Sequence, residues 1–137
     1  MDICALILSY LPQLTHFNSR EYPPAFEDFA CKASEFFDSL VPDEMETRVS
    51  DVIEGLETRR KALSPRKARN QAEEEKMVLA LFLAPAALQR GGPAQQFAGE
   101  LSRQWNARYP RNSFYPGEYA EIMEGFQPRI FGIPLRK

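Results

Sequence analysis

The sequence predicts an all-α fold, a compact bundle of five to six helices with an extended C-terminal tail. Apolar residues recur at helical spacing in successive segments, prolines and glycines separate those segments, and no long run alternates as a strand does. The 137 residues include 44% hydrophobic and 26% charged residues, a balance typical of globular proteins and not of disordered ones. We expect one domain over residues 1–137, because neither a repeat nor a low-complexity linker interrupts the chain.

The first two segments are strongly apolar. Residues 2–14 are apolar on nearly all sides, which predicts a buried helix that Pro12 shortens or kinks. Residues 24–40 place phenylalanines and alanines on one face at helical spacing, a stripe typical of core packing. Together with the later apolar stretch 77–90, segment 2–14 is expected at the centre of the bundle.

The third segment, residues 42–62, is the clearest amphipathic helix. Its apolar residues repeat at helical spacing, and Asp43 and Glu46 have the spacing of a capping box. Acidic residues gather at its start and basic residues at its end, as the helix dipole favours. The pattern therefore predicts a helix that packs one face on the core.

The fourth segment begins at Ser64 and Pro65, a pair typical of an N-cap followed by the first helical residue. Its first half is charged and its second half is almost wholly apolar, which predicts a helix that starts in solvent and ends in the core. Pro85 should kink or divide it. Gly91 and Gly92 should end it.

The remaining segments become progressively less helical. Residues 93–108 form an amphipathic pattern that Pro110 terminates. Residues 117–126 predict a short sixth helix. The tail, 126–137, contains proline and glycine with alternating apolar residues, so we expect it to be extended. Such a tail docks either on its own domain or on a neighbouring subunit.

Several chemistries are excluded because the residues they need are absent. The chain has two cysteines, Cys4 and Cys31, and one histidine, His16, too few for a structural zinc site or a disulfide framework. Both cysteines lie in apolar helical patterns and are expected to be buried free thiols. His16 has no partners in the sequence pattern of a catalytic triad or dyad. We expect no catalysis, no cofactor and no metal.

The N-terminal segment lacks the features of a signal peptide, because an acidic residue precedes its apolar run and no cleavage pattern follows. The longest apolar run, Met77 to Leu88, is too short to span a membrane. We therefore expect a soluble, cytoplasmic protein without a membrane partner.

The stretch 59–69 is the strongest charge anomaly, with six basic residues and no acidic one. The helix dipole explains those at the end of the third helix but not those at the start of the fourth. Cations there cost a few tenths to about 1 kcal/mol each at exposed sites. Their charge is compensated either by carboxylates of the same chain, with Glu73 four residues after Arg69 as one candidate, or by an external anion.

The C-terminal third is the second anomaly, because aromatic residues and arginines alternate there. Aromatic residues with arginine are typical of interface hot spots, and they also attach helix-poor ends of a chain to its core. A partner surface is predicted to include residues of both anomalies: Arg59, Arg60, Arg66, Lys67, Arg69, Arg108, Tyr115 and Phe131.

The leading functional hypothesis is a small helical protein that acts by binding another protein or a second copy of itself. One alternative is a nucleic-acid-associated regulator or inhibitor that uses the basic stretch 59–69, although the net charge of −2 and the neighbouring glutamates oppose phosphate binding. The other alternative is a small-molecule binder with an aromatic pocket. That pocket would be lined by Phe26, Phe29, Phe36, Phe37 and Trp105.

Overall fold

The computed structural model describes residues 1–15 and 22–118, and within these ranges the chain forms helices and no strand. The helices in chain order are α1 (Ile3–Ser9), α2 (Leu11–Thr15), α3 (Tyr22–Asp38), α4 (Met45–Arg60), α5 (Pro65–Val78), α6 (Ala84–Arg90) and α7 (Pro93–Arg108). Single 3₁₀ turns cover Pro42–Glu44 and Pro110–Asn112. The predicted all-α bundle is confirmed. None of the helices in these ranges is long and apolar enough to cross a membrane.

The predicted sixth helix and the tail fall largely outside the described part of the chain. Of segment 117–126, only Gly117 and Glu118 are described, and they belong to a turn. The extended tail 126–137 and its residue Phe131 lie outside the described residues altogether.

The apolar stretch between α5 and α6 forms the centre of the core, as predicted. Every residue from 78 to 87 is buried. A π-helical turn, Leu79–Leu83, joins the two helices, and in it the amide of Ala84 donates to the carbonyl of Leu79. Pro85 has no amide hydrogen for the usual helical bond, and a wider turn before a proline is one way in which a helix accommodates it. The predicted division of this helix therefore falls just ahead of Pro85.

The aromatic stripe of α3 packs into this core. The rings of Tyr10, Phe29 and Phe82 contact one another with centroids 5.1 to 5.8 Å apart. Farther along α3, the ring of Phe36 meets that of Phe97 edge-on at 5.1 Å, a geometry that aromatic rings favour. The stripe is thus the contact surface of α3 with the π-helical turn and α7.

The N-terminal segment is interrupted close to Pro12, as predicted, but it is not buried on all sides. It is divided at Tyr10 into α1 and α2. Asp2 is the N-cap of α1, and its side chain accepts from the amide of Ala5 at 3.1 Å. Only one face of α1 is buried, since Ala5 and Ser9 are exposed. Its buried residues Ile3, Cys4 and Ile7 therefore pack into the core from one side, and α1 contacts α3, α4 and α5.

Two capping predictions have different outcomes. Ser64 is the N-cap of α5, as predicted, and its hydroxyl accepts from the amide of Lys67 at 3.4 Å. The predicted capping box of Asp43 and Glu46 does not form. Asp43 lies in the 3₁₀ turn, and the N-cap position of α4 is taken by Glu44 without a side-chain bond. Because the 3₁₀ turn covers Pro42–Glu44, α4 starts two residues after Asp43, and Asp43 is not its N-cap.

The two cysteines lie in different environments. Cys4 is buried, and its thiol donates to the carbonyl of Val52 at 3.3 Å. Cys31 is exposed, which corrects the prediction that both thiols are buried. Phe29 and Ala33 face the core from α3, and Cys31 lies between them on the opposite, solvent-facing side of that helix.

Candidate binding site

A cleft of about 320 Å³ opens between the first half of α5 and the turn that follows α7. We call it the arginine cleft. Its lining residues are Arg60, Ala68, Arg69, Ala72, Glu73, Tyr109, Arg111 and Asn112. The cleft joins the two anomalies of the sequence, because the basic stretch 59–69 forms one part of it and the aromatic, arginine-rich C-terminal third forms the other.

Arg60 is held by hydrogen bonds at the cleft. Its Nε donates to both carboxylate oxygens of Glu75, at 3.0 and 3.2 Å, and its Nη2 donates to the hydroxyl of Tyr109 at 2.9 Å. Gln71 donates to the same carboxylate at 3.0 Å. Glu75 is fully buried, and the side chain of Arg60 is 10% exposed. The guanidinium orientation is therefore determined by the protein itself.

One nitrogen of Arg60 is left for an outside acceptor. Its Nη1 has no hydrogen-bond partner among the described residues. Every buried side-chain nitrogen and oxygen among the described residues has a hydrogen-bond partner. Because Nη1 of Arg60 has none, this atom is accessible to solvent. Because Arg60 lines the cleft, Nη1 is the group through which this buried arginine can reach a bound molecule.

Tyr109 connects the cleft to the outer carboxylates of α4. Its hydroxyl donates to Glu57 at 2.7 Å, and Arg108 donates to the other oxygen of Glu57 at 2.9 Å. Arg108 also lies 3.5 Å from the carboxylate of Glu54. The Tyr109 ring stacks on that of Trp105, with centroids 4.3 Å apart. These contacts hold the end of α7 against α4.

Burial and these contacts change the proton affinities at the cleft. Burial raises the pKa of the Glu75 carboxyl above its ordinary value. Burial also raises the pKa of the Tyr109 hydroxyl, and the hydrogen bond that it donates to Glu57 adds to the rise. For Arg60, burial opposes the charge, but the hydrogen bond to Tyr109 and the proximity of Glu75 outweigh it and raise the pKa. Arg60 is therefore a permanent cation and Tyr109 a neutral donor.

The structure divides the basic stretch into two halves. In the first half, Arg59 pairs with Asp2 at 2.8 Å and Arg60 pairs with Glu75, whereas Lys61 is exposed and has no ion pair among the described residues. In the second half, the exposed side chains of Arg66, Lys67 and Arg69 have no carboxylate within 4 Å among the described residues. The same holds for Arg111 across the cleft.

The internal partner considered for Arg69 is close along the helix but is not engaged. Glu73 follows Arg69 by four residues and also lines the cleft, yet the described contacts include no ion pair between them. Arg66 precedes Arg69 by three residues and so lies beside it on the same face of α5. Lys67 precedes Arg69 by two residues, about 200° around the helix axis, and lies on another side.

The predicted partner residues are thus only partly brought together. Arg60 and Arg69 line the cleft, whereas Arg59 and Arg108 pair with carboxylates of the same chain. Tyr115 is 63% exposed but does not line the cleft. Six lining residues were not among the predicted ones, and two of them, Tyr109 and Arg111, belong to the aromatic and arginine-rich C-terminal third. Their signal was a tyrosine and an arginine on either side of Pro110, the residue that ends α7.

A second cleft, of about 500 Å³, lies between α3 and α6. Its lining residues are Glu27, Ala30, Cys31, Phe37, Ala86, Gln89 and Arg90. Arg90 pairs with Asp38, so this cleft has no unpaired arginine. Of the aromatic residues predicted to line a ligand pocket, Phe37 alone lines this cleft, and Phe26, Phe29, Phe36 and Trp105 are buried in the core.

No family model matches the chain, and neither a curated protein nor a solved structure is significantly similar to it. The assignment of a site therefore depends on geometry and charge. On both grounds the arginine cleft is the stronger candidate, because it combines a fixed donor, Arg60, with two exposed guanidinium groups, Arg69 and Arg111.

Proposed function

We propose that the protein binds another protein, and that the arginine cleft receives an acidic segment of that partner. One observation carries the proposal. Arg69 and Arg111 line the same cleft, both are exposed, and neither has an anionic partner among the described residues. A guanidinium group can form two parallel hydrogen bonds with one carboxylate, and clusters of arginine are characteristic of sites that recognise acidic segments.

The energetics of α5 support the same proposal. Arg66 and Lys67 lie in the first turn of this helix, where the dipole disfavours cations by a few tenths to about 1 kcal/mol each, and Arg69 follows in the second turn. The arginines at the neighbouring helix ends, Arg59 and Arg108, are each stabilised by a carboxylate of the chain. A bound anionic segment would supply the missing compensation for the α5 cations.

A protein partner fits the surroundings of the cleft better than a nucleic acid does. Glu73 lines the cleft and Glu74 is exposed beside it on α5, so a long phosphate backbone crossing this surface would meet repulsion. A short acidic segment seated in the cleft avoids most of those contacts. The nucleic-acid hypothesis for stretch 59–69 remains the alternative, and a second copy of this chain is the alternative protein partner.

The proposal includes neither catalysis nor a cofactor, and it keeps the cytoplasmic location expected from the sequence.

The test is fluorescence anisotropy with a fluorescein-labelled peptide of alternating glutamate and glycine, titrated with the protein. The double charge reversal Arg69→Glu and Arg111→Glu should weaken binding by about tenfold or more, ~1.4 kcal/mol. The matched control is Lys67→Glu, which is compared with Arg69→Glu alone because these two variants make the same charge change on different sides of α5. It should weaken binding by much less, and all variants should keep the circular dichroism and Tm of a folded helical protein.

Three outcomes would overturn the proposal. Equal weakening by Lys67→Glu would mean that net charge and not the cleft determines binding. Tighter, steeply salt-dependent binding of an oligonucleotide of the same length would favour the nucleic-acid alternative. A dimer in analytical ultracentrifugation that dissociates on reversal of Arg69 and Arg111 would make a second copy the partner.

A further inference from the structure

We propose that the group seated in the arginine cleft is a phosphate monoester, so that the partner is recognised when one of its side chains is phosphorylated. This inference rests on the proposed function and specifies its ligand. It is drawn from the number, the fixation and the charge of the groups that line the cleft.

The number of donors exceeds what one carboxylate can use. Arg60, Arg69 and Arg111 all line a cleft of about 320 Å³. A carboxylate has two oxygens and a single charge and is matched by one guanidinium fork. A phosphate monoester has three acceptor oxygens and about −1.5 to −2 charges at pH 7, so it can accept from several guanidinium groups at once.

Arg60 supplies a donor whose position is determined before binding. Glu75 and Tyr109 hold its Nε and Nη2, and its Nη1 is left without a partner among the described residues. A donor that is already oriented loses little conformational entropy on binding. Arg69 and Arg111 are exposed and can adjust around the two outer oxygens. The cleft therefore combines one rigid arginine with two adaptable ones.

The charges around the cleft leave a positive excess. Glu75 offsets the charge of Arg60 from behind, and Glu73 lines the cleft without an ion pair to Arg69. The three arginines exceed these two carboxylates by one positive charge, and a doubly charged ligand gains about twice as much from that excess as a singly charged one. Arg66, beside Arg69 on α5, adds a further positive charge at the rim.

The test compares two fluorescein-labelled peptides of glycine and glutamate with a central serine, one phosphorylated and one not. We expect the wild-type protein to bind the phosphorylated peptide at least about tenfold more tightly. The double variant Arg69→Lys with Arg111→Lys keeps both positive charges but removes the paired N–H donors of the two guanidinium groups. It should lose most of the preference for the phosphorylated peptide while still binding both peptides. Lys67→Arg is the matched control and should keep the preference. Glu73→Gln should tighten binding of both peptides.

The outcomes separate this inference from the proposed function. Equal binding of both peptides by the wild-type protein would overturn the phosphate assignment and leave the acidic-segment proposal in place. No binding of either peptide would overturn both. A phosphate preference unchanged in the Arg69 and Arg111 lysine variant would place the phosphate elsewhere and overturn the assignment to this cleft.

Discussion

The Nε atom of Arg60 lies 3.0 and 3.2 Å from the two carboxylate oxygens of Glu75, and both side chains are buried. The pair joins the end of α4 to the C-terminal part of α5. A buried ion pair adds little stability over well-packed apolar residues, but removing one partner leaves an uncompensated charge in the interior. The same pair holds the rigid donor of the arginine cleft, so the fold and the candidate site share one contact.

Replacement of Glu75 by glutamine should therefore be strongly destabilising. Glu75→Gln leaves the Arg60 charge buried without its counter-ion, and we expect a loss of about 3 kcal/mol in the free energy of unfolding. Urea unfolding measures it. The control is Glu74→Gln at the exposed neighbouring position, which should change stability by less than about 0.5 kcal/mol. Similar stabilities of the two variants would show that the buried pair does not hold α4 to α5.

The contact between Tyr10 and Asp28 predicts a measurable pKa. The Tyr10 hydroxyl donates to the Asp28 carboxylate and, together with Lys32, lowers the pKa of Asp28. Tyr10→Phe keeps the buried ring but removes the donor, so the pKa of Asp28 should rise towards its ordinary value of about 3.9. Carbon-13 NMR titration of the carboxyl group measures the change. Tyr115→Phe, at an exposed tyrosine, should leave it unaltered.

The same contact determines how acid affects stability. The folded-state pKa of Asp28 lies below the unfolded value, so the contact stabilises the fold at pH above about 4. That contribution is lost as the pH falls through the folded-state pKa. Unfolding midpoints measured from pH 7 to pH 2 should decline less in Tyr10→Phe than in the wild-type protein. Parallel declines would contradict this role of Tyr10.

The two thiols should differ sharply in reactivity. Burial raises the pKa of Cys4 to about 11, whereas Cys31 is exposed. The thiolate is the reactive form, so a chromogenic disulfide reagent at neutral pH should modify one thiol rapidly and the second only after denaturation. In Cys31→Ser the rapid phase should disappear. A rapid phase that persists in this variant would contradict the burial of Cys4.

Two glycines within helices provide a matched test of packing. At Gly99 of α7 an added Cβ would meet nothing within 4 Å, so Gly99→Ala should stabilise the protein by up to about 1 kcal/mol through helix propensity. At Gly55 of α4 the added Cβ would lie 2.8 Å from the Sγ of Cys4, and Gly55→Ala should destabilise by about 1–3 kcal/mol. Thermal unfolding measures both. Adding Cys4→Ala should reduce the cost at Gly55, and no reduction would contradict this contact.

The sequence predicted features that depend on local pattern. Helical spacing identified the α3 stripe, Ser64 identified the start of α5, and Pro85 identified the irregular turn that precedes it in the core. Local rules failed at Asp43, because a 3₁₀ turn precedes α4, and at Cys31, because it lies on the side of α3 opposite the buried stripe.

The arginine cleft could not be predicted as a unit because its residues come from distant parts of the chain. A partial signal did exist. Arg60 follows Leu56 by four residues and Glu75 follows Ala72 by three. Each charged residue therefore lies on the same helix face as a buried apolar residue. Charged residues in such positions are candidates for a buried pair. Which arginine meets which carboxylate depends on how α4 and α5 pack, and a single sequence does not contain that information.

The most direct test of the arginine cleft follows the Nε–Hε resonances of the arginines by NMR while the glutamate–glycine peptide is added. The account predicts that Arg60, Arg69 and Arg111 shift together along one saturable curve, while Arg59 and Arg90, at paired positions elsewhere on the bundle, stay in place. Shifts spread evenly over all exposed arginines, or confined to arginines away from α5 and the turn after α7, would contradict it.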